Sequence, residues 1–323
     1  MDIFIKASEN DLDYVKLHIT HLEMTDEKRK SLLHYAVLGS AMDVLQYLID
    51  QDINVNLLDQ HGESALFDCA RKGKVKIAKL LISRFASVNI ENRQGELPIH
   101  LAAQKGNLEM IKLLIESGSL LNKKTIEDKL PVHYAIQGGQ TDIVSMILSM
   151  SKQSWFMKDT YGNTLLHHAS KTSNVRLVEM LLNQNLDPNA LNSQFETPIF
   201  NAIRFGSIET IRLLLASEAY LDIKNRRFES PLDTAMIFAK QEIAEYLNEY
   251  MQTPKYERLI QRQALAVAVL NRDHMVLRKL IEKDIPMKKD RLQKTALDYA
   301  KEYNLSLCVG LLRDVHINGS DGS

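Results

Sequence analysis

Asn92-Arg93-Gln94-Gly95-Glu96-Leu97-Pro98-Ile99-His100-Leu101-Ala102-Ala103 is the stretch whose reading decides the fold. Its first four residues signal a turn, with Gly95 free to take a left-handed backbone. Pro98 fits the first turn of a helix, where its missing N–H is no loss. Ala102 and Ala103 are small enough for another helix to approach closely. Gly106-Asn107 ends this helix. A second runs from Leu108 to Ser117, with Leu108, Ile111, Leu114 and Ile115 on one stripe. Gly118 stops it, and Leu120 and Leu121 lead out to the next turn. The unit is turn, helix, helix, loop. It cannot bury its apolar faces by itself, so copies of it must stack.

Outward from this stretch the same helix start recurs at Ser31, Ser64, Leu97, Leu130, Thr164, Thr197, Ser230, Gln263 and Thr295, with gaps of 33, 33, 33, 34, 33, 33, 33 and 32. A lattice of this period specifies an all-α solenoid of stacked helix-turn-helix units. Such a chain offers one long surface rather than a deep catalytic cleft. The 323 residues therefore share a continuous core. Apolar residues make up 45% and charged residues 25%, ordinary for a folded chain. A net charge of −1 argues against a dedicated nucleic-acid binder. No run of 18 apolar residues is present, so no membrane span is expected. No basic segment followed by an apolar stretch opens the chain, so no secretory signal is read. Cys69 and Cys308 lie far apart in the lattice and read as free thiols in a reducing, cytoplasmic setting.

Ser31-Leu-Leu-His34-Tyr-Ala36, Leu130-Pro-Val-His133-Tyr-Ala135, Thr164-Leu-Leu-His167-His-Ala169, Thr197-Pro-Ile-Phe200-Asn-Ala202 and Ser230-Pro-Leu-Asp233-Thr-Ala235 fill one slot. This pattern resembles the ankyrin repeat, which begins Thr-Pro-Leu-His-x-Ala. Asp59-x-x-Gly62 and Asp159-x-x-Gly162 resemble its turn, and Asn54-Val-Asn56 and Asp187-Pro-Asn189 its outgoing loop. The resemblance covers about residues 1 to 315. It implies antiparallel helix pairs with β-hairpin-like fingers, in a curved stack of about nine to ten units including caps, with fingers and first helices on the concave side. Residues 1–30 are expected to form an N-terminal capping unit, 31–250 regular repeats, 251–315 divergent repeats and a cap, and 316–323 a disordered tail. Around 251–262 the finger signature is lost. Met251-Gln-Thr-Pro254 breaks the chain, and residues 255–262 read as a helix continuous with 263–270, tilting the last two units.

The chemistry-bearing residues read mostly as structural. His34, His100, His133 and His167 share one lattice slot, roughly 10 Å apart when units stack, too far for one zinc ion. The resemblance gives them a role in bonding the helix start and the neighbouring loop. No metal, cofactor or catalytic residue is expected, and no nucleophile or phosphate-loop motif occurs. Asn56, Asn89 and Asn189 resemble loop asparagines that are hydroxylated in some ankyrin repeats, but read as loop-bonding side chains. Met146, Met150, Trp155 and Phe156 are expected to fill core, with a bulge beside Trp155 where the period is 34.

By the resemblance, the concave surface carries Arg71 and Lys72, then Arg93 and Lys105, then Tyr161 and Lys171, then Arg204 and Phe205, then Arg226, Arg227 and Phe238. Phe195 and Phe228 occupy the turn-glycine slot itself. The pairs Phe195 and Phe228, and Phe205 and Phe238, are each 33 apart and are expected to form short ladders on adjacent units, edged by Arg204, Arg226 and Arg227. Exposed aromatics beside arginine mark binding hot spots. Glu63, Glu96, Glu196 and Glu229 recur beside these basic residues and can pair with them at the surface. The expected function is a non-catalytic, monomeric interaction scaffold holding a protein or peptide partner. Arg204, Arg226 and Arg227 would select acidic groups. The alternative is a secreted host-directed effector, or an enzyme-inhibiting or immunity-type regulator, on the same scaffold.

Overall fold

The computed structural model describes residues 2–313 and 315; the expected disordered tail lies outside the described residues. The chain divides into two compact units, Met1–Thr160 and Tyr161–Ser323. Each is a stack of short antiparallel helix pairs.

In the first unit the pairs are Ile3–Ser8 with Leu12–His18, Leu32–Gly39 with Met42–Asp50, Ala65–Lys72 with Val75–Ser83, Pro98–Lys105 with Leu108–Glu116, and Pro131–Gln137 with Thr141–Met150. First helices pack on first helices, because their small and aliphatic residues face both neighbours: Ile99, His100, Ala102 and Ala103 are all fully buried. The approach is so close that a Cβ at Gly138 would lie 2.0 Å from the Gln104 carbonyl oxygen. Second helices bury one stripe only, as Met110, Ile111 and Leu114 do. The residue added in the 34-residue unit is absorbed beside a 3₁₀ turn, Lys152–Phe156. There the core expectation fails in part. Phe156 is 82% exposed and Met150 also faces solvent, because both fall past the buried stripe of Ile143, Val144, Ile147 and Leu148. Trp155 is half-buried, its Nε1–H donating to Leu148 O at 3.3 Å.

The fingers are turns; among the described residues no strand forms, only an isolated bridge between Thr25 and Ser31. Asn92 Oδ1 accepts from the N–H groups of Gln94 and Glu96, closing a five-residue loop. Asp59, Asn192, Asn225 and Asp290 repeat this device. Its fourth residue must be left-handed: φ is +73° at Gly95, but +57° at Asp128, +61° at Phe195 and +62° at Phe228. Each finger tip then donates one backbone N–H to the previous tip. In the first unit Gln60 reaches Lys28 O, Arg93 reaches His61 O, Ile126 reaches Gln94 O and Thr160 reaches Glu127 O, at 2.9 to 3.0 Å.

The slot histidines join helix to finger. His100 Nδ1 accepts from its own helix start, Leu97 N–H, and Nε2 faces the Lys123 carbonyl of the following loop at 3.2 Å. His34 does the same between Ser31 and Glu63 O, and His167 between Thr164 and Glu196 O. The loop asparagines are bonded likewise: Asn56 spans Phe85 O and Ser87 N–H, Asn89 spans Gly118 O and Leu120 N–H, and Asn189 spans Glu218 O and Tyr220 N–H.

The second unit holds Leu165–Ala169 with Val175–Asn183, Pro198–Phe205 with Ile208–Ala216, Pro231–Ile237 with Gln241–Met251, then Pro254–Arg262, Ala264–Leu270 with His274–Glu282, and Ala296–Glu302 with Ser306–Leu312. The expected continuous helix over 255–270 is two helices, broken at Gln263 (φ −106°, ψ 18°). Helix Pro254–Arg262 stands where a finger would be. The ladder continues from Ser193 to Tyr161 O and from Arg226 to Gln194 O; among the described residues no backbone donor then reaches Arg227. The last two helix pairs turn back instead onto earlier loops of the same unit. Tyr256 Oη accepts from Leu221 N–H and donates to Asp222. Asn271 bonds Lys224 N–H and Asp222 O, both at 2.8 Å. Tyr303 Oη accepts from Leu191 N–H, and Lys294 Nζ lies 2.9 Å from Asp187. Burial pushes the Asp187 carboxyl up against the opposing pull of Lys294. Burial alone would lower the Lys294 ammonium, but Asp187 and Glu302 outweigh it and hold it at about 12.

Burial lowers the His100 imidazole from 6.5 to about 4. A folded value below the unfolded one means the unfolded chain binds more protons between the two, so stability falls as pH drops from 6.5 toward 4. Each pH unit in that window costs about 1.4 kcal/mol per such histidine. Thermal melting between pH 7 and 5 is expected to show a shallower pH slope in His100→Gln than in the unaltered protein.

Candidate functional site

Among the described residues no group of three His, Cys, Asp or Glu side chains is placed to hold a metal ion, and no helix is long and apolar enough to cross a membrane. Cys69 and Cys308 are buried thiols, and burial pushes Cys69 up to about 12, away from reactivity. Attention falls on the fingers and first-helix ends.

Two of the expected binding arginines are engaged within their own repeats. Arg71 meets Glu63 at 2.7 Å and Asp68 at 3.0 Å. Arg204 forks onto both oxygens of Glu196 and reaches Asn201 Oδ1 at 3.3 Å. In both cases a guanidinium on the first helix ties down the glutamate eight residues before it, at the base of the finger. The same glutamate's carbonyl is held by the preceding histidine, His34 or His167. Both arginines fasten fingers, and neither guanidinium is spare for an acidic partner. Lys72, Arg93 and Lys105 are exposed on the first unit, and Tyr161 and Lys171 on the second.

The second unit gathers the rest. Phe228 is 81% exposed at a left-handed turn position, with Arg226 and Arg227 beside it, also exposed. Phe205, Ile237 and Phe238 are exposed at the ends of their helices. The expected phenylalanine ladders are interleaved by guanidinium groups rather than stacked ring on ring. Arg204 Cζ lies 5.9 Å from both the Phe205 and Phe238 centroids. Phe195 is half-buried, with Arg226 Cζ 4.7 Å and Arg272 Cζ 3.3 Å from its centroid. Phe205 and Phe238, 33 residues apart, thus share Arg204, whereas in the other pair Arg226 and Arg272 both lie on Phe195.

Two grooves flank the Arg226 finger. One, of about 350 Å³, lies among Gln194, Arg204, Arg227 and Phe238. The other, of about 780 Å³, is walled by Phe195, Arg226 and Phe228 on the finger side and by Arg272, His274 and Met275 opposite. Arg272, His274 and Met275 escaped the sequence reading. The available signal was the finger lost around 251–262, since a missing finger leaves a gap and exposes whatever lies behind it.

The family model described as ankyrin repeats (3 copies) matches residues 3–92, 84–154, 99–192 and 150–226. The chain belongs to the ankyrin-repeat family. Among solved structures it is similar to the human ASB11 ankyrin repeat domain, at 27% identity and a TM-score of 0.58, over 64% of this chain and 92% of that one. No curated protein matches the chain. Ankyrin repeats serve generally as protein–protein interaction scaffolds, on a typically non-catalytic fold. The family matches end at residue 226, on the finger that borders the larger groove.

Removing Arg204 leaves Glu196, which is 9% exposed, without its fork. Arg204→Ala is expected to lower unfolding stability by about 1–3 kcal/mol. Arg227→Ala, at an exposed position, should stay within about 0.5 kcal/mol. Urea denaturation of the two variants checks the contrast.

Proposed function

We propose that this ankyrin-repeat chain is an interaction scaffold that holds a protein partner on the finger and first-helix face of its second unit, through Phe228, Phe205, Phe238, Arg226 and Arg227. The observation that carries the reading is Phe228. A left-handed turn position is suited to glycine; a residue with a Cβ pays about 1–2 kcal/mol there. Burial could offset that cost, but the Phe228 ring is 81% exposed. With so little of Phe228 covered, burial offsets little of that cost, whereas a partner covering the ring would recover its apolar area. Strain kept at an exposed aromatic is the pattern of a binding site.

Phe205, Ile237 and Phe238 extend the apolar area, and Arg226 and Arg227, which have no carboxylate partner among the described residues, edge it. An apolar centre with a charged rim is the usual anatomy of a protein interface. The engaged arginines Arg71 and Arg204 are excluded from the partner set. The first unit presents Lys72, Arg93 and Lys105 but no comparable cluster of exposed aromatics on its fingers.

The decisive variant is Phe228→Gly. It relieves the turn, so thermal stability should be equal or higher, by up to about 1 kcal/mol. Partner capture, read by affinity purification and mass spectrometry from source cells, should fall at least tenfold, with Phe238→Ala adding to the loss. A stable Phe228→Gly protein that retains every partner would overturn the reading.

A further inference from the structure

We infer that the larger groove of the second unit is a carboxylate-reading notch, which takes an aspartate or glutamate side chain from an extended acidic segment of the partner. This rests on the finger face being the partner-binding surface and names the chemistry recognised there.

The notch exists because one finger is missing. Helix Pro254–Arg262 replaces it, so the ladder stops at Arg226, and the turn at Asn271 and Arg272 is brought up against the finger base. Arg272 is thereby set face-on against the Phe195 ring, 3.3 Å from its centroid, with one guanidinium nitrogen donating to Leu270 O at 2.9 Å. Its conformation is fixed before any ligand arrives. Arg226 comes to the same ring from the adjoining finger.

Among the described residues no carboxylate pairs with Arg272 or Arg226. The contrast with Arg71 and Arg204 is sharp, since both of those hold a glutamate of their own repeat. Arg272 is half-buried, and burial together with Arg226 lowers its affinity for its proton. An oriented, partly desolvated guanidinium with no counter-ion is costly alone and gains strongly from an oxygen acid. Its planar fork matches a carboxylate in two parallel hydrogen bonds.

The remaining lining chooses among anions. Lys224 adds a positive charge, but Asp273 stands on the same wall and caps helix His274–Glu282. The negative charge of Asp273 in the same lining disfavours a doubly charged phosphate more than a singly charged carboxylate. Met275, 66% exposed, and Phe228 offer apolar contact on either side of the anion, so the partner segment carries an apolar residue beside its acidic one.

The test is selection of a random twelve-residue displayed peptide library on the full chain, followed by fluorescence polarisation of the enriched peptides. Enriched peptides should share an Asp or Glu next to an apolar residue. Arg272→Gln and Arg226→Gln, folded by circular dichroism, should each weaken them by about 30-fold or more. Arg272→Lys should weaken them nearly as much, because charge without a stacked fork is insufficient. Peptides lost on Phe228→Gly but lacking any acidic residue would overturn the notch while leaving the scaffold reading intact. Acidic peptides bound equally by Arg272→Gln would also overturn it. So would tighter binding when phosphoserine replaces the acidic residue. Failure to enrich any peptide sensitive to Phe228→Gly would overturn both.

Discussion

Where a histidine fills the slot, one kind of bond joins the start of one repeat to the finger of the next. His34, held by Ser31, reaches the Glu63 carbonyl at 3.0 Å, and His167, held by Thr164, reaches Glu196 O at 2.9 Å. A finger has almost no core of its own, and its backbone groups need partners. The histidine supplies one from behind, the preceding finger tip supplies another, and the Asx side chain closes the turn. With those in place, a first helix can press its glycine and alanine residues against its neighbour, as Gly138 does against Gln104. Remove the neighbour and the buried stripe, the finger and the loop all lose partners together, which makes stability in such stacks a nearest-neighbour property.

The same dependence explains the departures. Where Asp233 and Asp298 replace histidine, the carboxylate still caps its own helix, through Ser230 and Thr295. Gln263 stands at a broken helix junction, yet its amide donates to Lys289 O and so keeps the link to the following loop. The missing finger is compensated by helix Pro254–Arg262, whose Tyr256 takes over the backbone N–H of Leu221. The last pairs then find their partners on Asp187, Leu191 and Asp222. Lost finger bonds are replaced by tyrosine, asparagine and lysine side chains, and the surface left open between old and new contacts is the groove beside Phe195.

Arginine divides into two populations by the same logic. Arg71 and Arg204 hold the glutamate eight residues before them, so the cation is absorbed into the finger and serves stability. Arg226 also has a glutamate, Glu218, eight residues before it, but Glu218 pairs with Arg262 instead; Arg226 and Arg272 lie against Phe195, and Arg272 donates to Leu270 O. An exposed cation matters for recognition when its own repeat leaves it unpaired.

The bonding role of the slot histidines was what the ankyrin resemblance implied, while the sequence by itself determined the repeat, the helix pairs and the presence of aromatics at the turn-glycine slot. These are local facts, set by a 33-residue period, by proline and glycine punctuation and by spacing within one helix. It also showed the finger lost around 251–262 and glutamates recurring beside the basic residues; which arginine each would hold was decided by the structure. What only the tertiary structure decided was the direction taken after that loss. The turn of the last two pairs onto residues more than one hundred positions earlier, as in the Leu191–Tyr303 bond, depends on which loops offer unpaired backbone groups within reach. No periodicity encodes such a long-range contact. Arg272 was therefore an unremarked turn residue in the sequence and becomes, through that contact, the cation stacked on Phe195.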